Sequence, residues 1–274
     1  MLLTLINGSD ANTVSAFDRG LLYGQSVFET VAVSNGKPCL LEPHLARLDK
    51  GAKVLGIEVD KALISSEVSQ LALGMVCGVI RITLTMGEGG RGYHNPVKPS
   101  STRIVSQYDY PDYPAKYWSY GIKLGVVDFR LSHQPVLAGI KHGNRLEQII
   151  IRSQWQDDWQ EALVLDVDGN VIEGTQSNVF IVKDGSLITP KLDKTGIDGV
   201  MRQSIIGFAK ASDINVIVRP VSLDGIEQAD EVFMSNSVIG IWPVRVFNES
   251  LYSELSIANK LLKLIIKNEF IPTF

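Results

Sequence analysis

Ala162-Leu-Val-Leu-Asp166, the turn Asp168-Gly-Asn170, Val171-Ile-Glu173, Val179-Phe-Ile-Val182, the turn Asp184-Gly185 and Leu187-Ile-Thr189 follow one another with little between them. Short apolar and β-branched runs, separated by Asp-Gly pairs that accept positive φ, predict a meander of short antiparallel strands joined by tight hairpins. Working outward, Ile122–Val127, Val216–Arg219 and Glu231–Ser235 read as further strands. Helical spacing predicts helices over Asn144–Trp155, with Leu146, Ile149 and Ile150 apolar, over Met201–Ala211 and over Leu255–Asn268. Hairpin strands mixed with helices predict an α+β fold with a barrel-like sheet in this half, not a doubly wound nucleotide fold.

The N-terminal half alternates strand and helix signals. Val27–Val33 reads as a strand, Asn35-Gly36 as a hairpin turn and Cys39–Leu41 as the return strand. Glu42–Leu55 carries Leu45, Leu48, Ala52 and Leu55 on one helical face, and Lys61–Leu73 reads as a second helix. Strands at Val79–Thr85 and Thr102–Ser106 flank the loop Gly87-Glu-Gly-Gly-Arg-Gly92. Tyr108–Tyr120, rich in tyrosine and broken by Pro111 and Pro114, reads as a connection between two domains: a smaller N-terminal α/β domain at 1–113 and a larger C-terminal domain at 114–274.

The composition narrows the class. Of 274 residues 45% are apolar, enough for a substantial core, and the net charge of −4 comes without a like-charged run that could follow a nucleic-acid backbone. The start, Met1-Leu-Leu-Thr-Leu-Ile-Asn-Gly8, reads as a first strand, and no later apolar stretch has the length of a membrane span. Cys39 and Cys77 read as two reduced core thiols, and His44, His94 and His133 show no ligand spacing, so the expectation is a cytoplasmic protein without a metal.

Three features ask for chemistry. Lys141 stands among small and apolar neighbours in Ala138-Gly-Ile-Lys-His-Gly-Asn144, where burial would lower its pKa and make it a nucleophile toward an aldehyde. It could equally be a lysine with a covered stem and a head in water. Glu173 precedes the hydrogen-bonding cluster Gly174-Thr-Gln-Ser-Asn178 and either partners a buried cation or faces solvent. Gly196-Ile-Asp-Gly-Val-Met-Arg202 runs into a helix start, where exposed N–H groups and the helix dipole suit a phosphate, although such a stretch can also be only a loop.

These stretches occur in order with others: Phe17-Asp-Arg-Gly-Leu-Leu-Tyr-Gly-Gln-Ser-Val-Phe-Glu-Thr30, Glu42-Pro-His-Leu-Ala-Arg-Leu48, Glu161–Asp166, Glu173–Phe180 and Ala229–Ser237. Over nearly the whole chain they resemble the fold-type IV pyridoxal-phosphate enzymes, the class of branched-chain aminotransferases, D-amino-acid aminotransferases and aminodeoxychorismate lyases. The resemblance implies pyridoxal 5'-phosphate bound covalently by Lys141, which also moves protons at the substrate carbon. It implies that Glu173 bonds the pyridine nitrogen and that Ile197 packs on the ring. The phosphate would sit on the backbone of Val200 and Met201, with Ser237 as a second donor and Arg47 as countercharge. Asn178 would bond the phenolic oxygen or anchor the loop that does. For Ser237 and Asn178 a purely structural turn role stays open. A homodimer, one subunit's loop reaching the other's site, is also implied.

Within the class, Gly87–Tyr93, Leu137–Gln148 and Gly199–Gln203 are similar to the lyases, whereas the tyrosines expected of branched-chain and D-amino-acid aminotransferases near Arg145 and Phe28 are absent. The implied reaction eliminates pyruvate from a dicarboxylate and leaves 4-aminobenzoate for folate synthesis, with Arg91 and Arg145 as candidate anion partners. Arg91 could instead be a solvated loop tip, and Arg145 a structural ion-pair former. His142 reads as a packing or hydrogen-bonding neighbour of Lys141 and not as a general base. Amino-acid aminotransferase activity and a non-catalytic cofactor-binding module are the alternatives. Tyr23-Gly-Gln-Ser26 departs from the common aromatic-Gly-Asp-Gly of the class.

Overall fold

The computed structural model of the protein describes residues 3–272. The chain forms two compact units: residues 3–111 with 140–145 and 271–272, and Asp112–Gly139 with Leu146–Phe270. The first unit runs β1 (Thr4–Ile6), β2 (Ser9–Asp10), α1 (Arg19–Tyr23), β3 (Ser26–Ser34), β4 (Lys37–Pro38), α2 (Leu41–Val54), α3 (Lys61–Ala72), β5 (Cys77–Thr85) and β6 (Thr102–Tyr108). Its strands make one antiparallel sheet in the order β2-β1-β6-β5-β3-β4.

Strand alternation gives this sheet two different faces. Val27, Val31 and Val33 of β3 join Ile80, Ile82 and Leu84 of β5 on a face packed against Leu45, Leu48 and Ala52 of α2 and Ile64, Val68 and Leu71 of α3. Phe28 and Thr30 point the other way. Asn35 and Gly36 turn the β3–β4 hairpin with φ of 48° and 77°, the two positive values that a two-residue primed turn requires. The return strand is Lys37–Pro38 and not Cys39–Leu41, because Leu40 takes φ 52° and Leu41 already opens α2. Only Cys39 is a core thiol; Cys77 begins β5 opposite Ser34 at the sheet end and is exposed.

The second unit runs α4 (Lys116–Ser119), β7 (Ile122–Leu131), α5 (Leu146–Ser153), β8 (Glu161–Asp166), β9 (Val171–Gly174), β10 (Asn178–Lys183), β11 (Ser186–Thr189), α6 (Val200–Ala211), β12 (Val216–Val218), α7 (Leu223–Glu227), β13 (Glu231–Asn236), β14 (Gly240–Phe247), β15 (Ser250–Leu251) and α8 (Ser256–Lys267). Its sheet order is β12-β11-β10-β13-β14-β7-β8-β9, with β15 on β14. The two ends of that order meet: Val171 N–H in β9 donates to the Val221 carbonyl, just past β12, at 2.8 Å, which curls the sheet toward a barrel. The unit is therefore α+β with a barrel-like sheet, as the hairpin pattern predicts.

The expected meander is split, however. The β8–β9 and β10–β11 hairpins stand at opposite ends of the order, and β10 pairs with β13 instead of β9. The break falls at the tight turn in which Gly174 N–H reaches the Ser177 carbonyl at 2.6 Å. Strand β14 was not expected, since Pro243 interrupts its run, yet Pro243 pairs in register with Phe233. In α5 it is Ile151 that is buried, while Leu146, Ile149 and Ile150 are exposed, so the expected apolar face is turned away from the unit's core. Among the described residues no helix is long and apolar enough to cross a membrane.

Candidate active site

Lys141 is placed by backbone pairing. The segment after Gly139 lies along the free half of β3: Phe28 N–H donates to the Lys141 carbonyl at 2.9 Å, Gly143 N–H donates to the Ser26 carbonyl at 2.8 Å, and Val27 bridges His142. The lysine is half-buried, and its Nζ stands 4.4 Å from the centre of the Phe28 ring. The Arg81 guanidinium lies 4.1 Å from the same ring, so two cations share one aromatic side chain. Nothing in the sequence reading singled out Arg81, although its cross-strand partner Thr30 has the parity of Phe28.

On the opposite face of β3 sits a carboxylate among valines. Glu29 is completely buried, and α2 supplies its partners: His44 Nδ1 at 2.6 Å from Oε2, and Arg47, whose Nε donates to Oε1 at 2.8 Å and whose Nη2 donates to Oε2 at 2.5 Å. Burial pushes the Glu29 pKa up, but the Arg47 charge and its hydrogen bonds, aided by His44, outweigh it and bring the group to about 2. Burial drives His44 the other way, below its usual value, with the Arg47 and Lys141 charges adding to the effect against the pull of Glu29. Its other ring nitrogen, Nε2, is buried without a hydrogen-bond partner. Arg47 is thus no surface arginine; it is a forked cation fixed by Glu29.

His142 and Arg145 form a pair. Arg145 Nη2 lies 2.9 Å from His142 Nε2 and 3.1 Å from Nδ1. A guanidinium only donates, so the imidazole accepts with an unprotonated nitrogen. Burial and then the Arg145 charge hold His142 at about 4, which keeps it neutral and consistent with a hydrogen-bonding neighbour. Arg91 is exposed in the loop between β5 and β6.

The remaining sequence-derived residues belong to the second unit. Glu173, on β9, is buried rather than solvent-facing, and its Oε2 accepts from Ile197 N–H at 2.8 Å. Asn178 is buried too and donates to the Ile197 carbonyl at 2.9 Å, so both ends of the Ile197 peptide pair are held from the strands. Val200 and Met201 open α6, whose cap residue Gly199 offers no side-chain cap, leaving the first N–H groups available to an anion. A Cβ at Gly199 would fall 2.0 Å from Asn178 Oδ1, which fixes glycine there. Ser237 is half-buried in the β13–β14 turn. Nearby in the β10–β13 ladder, opposite Asn178, Ser235 Oγ is buried without a partner.

Two supporting groups escaped the sequence reading. Arg202, in the first turn of α6, is buried and ties Asp198 (2.8 Å) to the Pro190 carbonyl (3.0 Å). Glu161 is buried behind the turn after Glu173, where it accepts from the N–H groups of Ala162 and Thr175 and from Ser177 Oγ, at 2.9, 3.0 and 2.6 Å. Burial raises its pKa, while these donors oppose the rise. His133, without ligand spacing in the sequence, meets Asp166 and Asp168 in space. That grouping is taken up internally: His133 bonds Asp166, Asp166 accepts from the Asp168 and Asn170 N–H groups, and Lys194 pairs with Asp168.

The first unit thus carries a backbone-seated lysine, and the second a buried strand carboxylate and an uncapped helix start. Residues 26–247 match the amino-transferase class IV family, and the chain belongs to it. The family is pyridoxal-phosphate-dependent, and its members include both lyases and aminotransferases. The crystal structure of 4-amino-4-deoxychorismate lyase from Pseudomonas aeruginosa is 41% identical with a TM-score of 0.93, covering 98% of this chain and 100% of that one. Aminodeoxychorismate lyase of Vibrio harveyi is 32% identical over 87% of this chain and 89% of its own. Branched-chain-amino-acid aminotransferase of Escherichia coli K12 is 29% identical over 88% of this chain and 82% of its own.

Proposed function

We propose that the protein is a cytosolic, homodimeric 4-amino-4-deoxychorismate lyase, which uses pyridoxal 5'-phosphate to eliminate pyruvate and leave 4-aminobenzoate for folate synthesis. The observation that carries the reading is Lys141 held on β3 over Phe28, in a chain alike from end to end to the Pseudomonas lyase. The residues fit the cofactor. The α6 start is uncapped, Ser235 Oγ is a buried hydroxyl without a partner, and Gly199 lets the helix start come close against Asn178, where a Cβ would fall 2.0 Å from Asn178 Oδ1.

In this reading Val200 and Met201 N–H groups hold the phosphate, with Ser237 as a further donor and Arg47 as countercharge. Ile197 packs against the ring, steadied by Asn178 and Glu173. Glu173 keeps the ring nitrogen protonated, because a buried carboxylate favours a neighbouring cation. Bound there, the cofactor supplies an electron sink for the pair released at the substrate carbon. The Lys141 amine would hold the cofactor and, when free, would take the proton from the amine-bearing carbon of the substrate. Loss of the enolpyruvyl ether then aromatises the ring, and no second substrate is consumed. Arg91 and Arg145 grip the two carboxylates, and Arg81 adds charge on the Phe28 face. The exposed Phe17, Leu21, Leu146 and Ile149 supply apolar surface for a second subunit.

The test is a side-by-side assay of the purified protein with added cofactor. Release of 4-aminobenzoate and pyruvate from aminodeoxychorismate is expected to exceed keto-acid formation from any of a panel of L- and D-amino acids. Efficient turnover of leucine or D-alanine with no 4-aminobenzoate would make the protein an aminotransferase of the same family. A protein that stays colourless with added cofactor would be a non-catalytic module.

A further inference from the structure

Gln25, where the chain departs from the aspartate common at that place, is the centre of a hydrogen-bonded clamp. Its Oε1 accepts from Arg19 Nε at 2.7 Å, and its Nε2 donates to the Leu55 carbonyl at 3.0 Å and to Asn95 Oδ1 at 2.8 Å. Arg19 is only 2% exposed, and among the described residues it forms no ion pair with a carboxylate. Its Nη1 donates to the carbonyls of Gly90 and Gly92, at 3.2 and 3.0 Å, the residues on either side of Arg91. Tyr23 adds two contacts: its ring lies 4.7 Å from the Arg19 guanidinium carbon, and its hydroxyl accepts from Gly92 N–H at 3.2 Å. A Cβ at Gly89 would fall 2.7 Å from Arg19 Cδ, so the loop needs glycine to cross the arginine stem.

The bonds of this set that reach the loop end on its backbone or on Asn95, and none ends on Arg91 itself; the bond to the Leu55 carbonyl ties the set to the end of α2. The clamp therefore fixes the two peptides flanking Arg91 while leaving its guanidinium exposed. Gln25 is neutral, so it orients Arg19 without cancelling its charge, and that buried charge adds to the positive potential at the loop. We propose that Gln25 is a positioning residue that holds the 87–95 loop so that Arg91 receives a carboxylate of an anionic substrate. The proposal rests on the lyase reading for the identity of that anion. It does not rest on it for the clamp.

The test compares wild type, Gln25→Ala, Gln25→Glu and Arg91→Ala as holoenzymes. Readouts are KM and kcat for lyase turnover, visible absorbance of bound cofactor, melting temperature, and the rate of tryptic cleavage at the Arg91–Gly92 bond. Losing the amide should raise KM about tenfold, the scale of one hydrogen bond to a charged group, with a smaller change in kcat and unchanged cofactor absorbance. Cleavage at Arg91 should quicken at least as much. Gln25→Glu should raise KM as well, because its carboxylate offsets the Arg19 charge and loses both donors, to Leu55 and Asn95. If Gln25→Ala does not fold, Asn95→Ala removes one arm of the clamp and must quicken cleavage at Arg91. Cleavage and KM both at wild-type values in a folded Gln25→Ala would overturn the proposal. So would faster cleavage with KM unmoved. A wild type that released no 4-aminobenzoate would sink the lyase reading instead, and the cleavage rates alone would then decide the clamp.

Discussion

Replacing Glu29 by glutamine keeps the shape of the side chain and removes its charge. The carboxylate is completely buried and carries both Arg47, itself only 11% exposed, and His44. A shift from 4.5 to about 2 is worth roughly 3 kcal/mol of preference for the ionised form in the folded chain. Removing one partner of a buried ion pair costs about 3–5 kcal/mol by general experience, because the remaining charge is left buried. The two routes agree, so Glu29→Gln is expected to lose about 3–5 kcal/mol at pH 7 from the unit that carries it, read as a fall in the urea midpoint. The pH dependence supplies a second signature. A depressed carboxylate contributes fully above its unfolded value near 4.5, and that contribution is lost as pH falls toward 2. The difference between wild type and variant should therefore shrink across that window. His44 acts with the opposite sign: burial depresses it, so the unfolded chain gains a proton that the folded chain refuses as pH drops below 6.5. That limb remains in the variant, since burial is its largest cause. A variant within about 0.5 kcal/mol of wild type at pH 7, the range of an ordinary surface change, or a difference that stays constant from pH 4.5 to 2, would refute the reasoning.

Lys141→Ala should abolish both the visible absorbance of bound cofactor and turnover, with stability changed by no more than about 1 kcal/mol, because a half-buried lysine contributes little packing; retained turnover would remove its assigned role. Sedimentation should find a dimer, and Ile149→Asp, on the exposed stripe of α5, should shift it toward monomer and lower activity together; a fully active monomer would end the dimer reading.

What the sequence makes legible is local. The Asp-Gly punctuation of residues 162–189 locates four strands, and the alternation of Val27, Val31 and Val33 marks the buried face of β3. Strand partnership is not local. Nothing between β9 and β10 states that β10 will pair with β13, more than fifty residues on, and a proline, which has no N–H to give, hides β14 although Pro243 keeps its register with Phe233. The exposed stripe of α5 misleads for a related reason. Helical spacing shows that Leu146, Ile149 and Ile150 share a surface, but not whether that surface meets the unit's own core.

The site divides the same way, and β3 shows why. Lys141 and Glu173 are readable because each sits beside small residues that let backbone come close. The Glu29 cluster was equally open to reading. A glutamate with the parity of Val27 and Val31 must enter the core, and a buried carboxylate demands a cation, which the next helix offers at His44 and Arg47, three positions apart beside Leu45 and Leu48. One strand thus serves two purposes by parity alone: its odd positions anchor the cation proposed for the phosphate, and Phe28 on its even face seats the lysine. A slip of one residue in the β3–β5 register would bury Phe28 under α2 and turn Glu29 toward Lys141, exchanging an aromatic seat for a carboxylate. The buried Glu29–Arg47 pair opposes that slip, since it can form only with Glu29 on the helix side. The charge that looks costly in the core is therefore also what specifies which side chain of the strand faces Lys141.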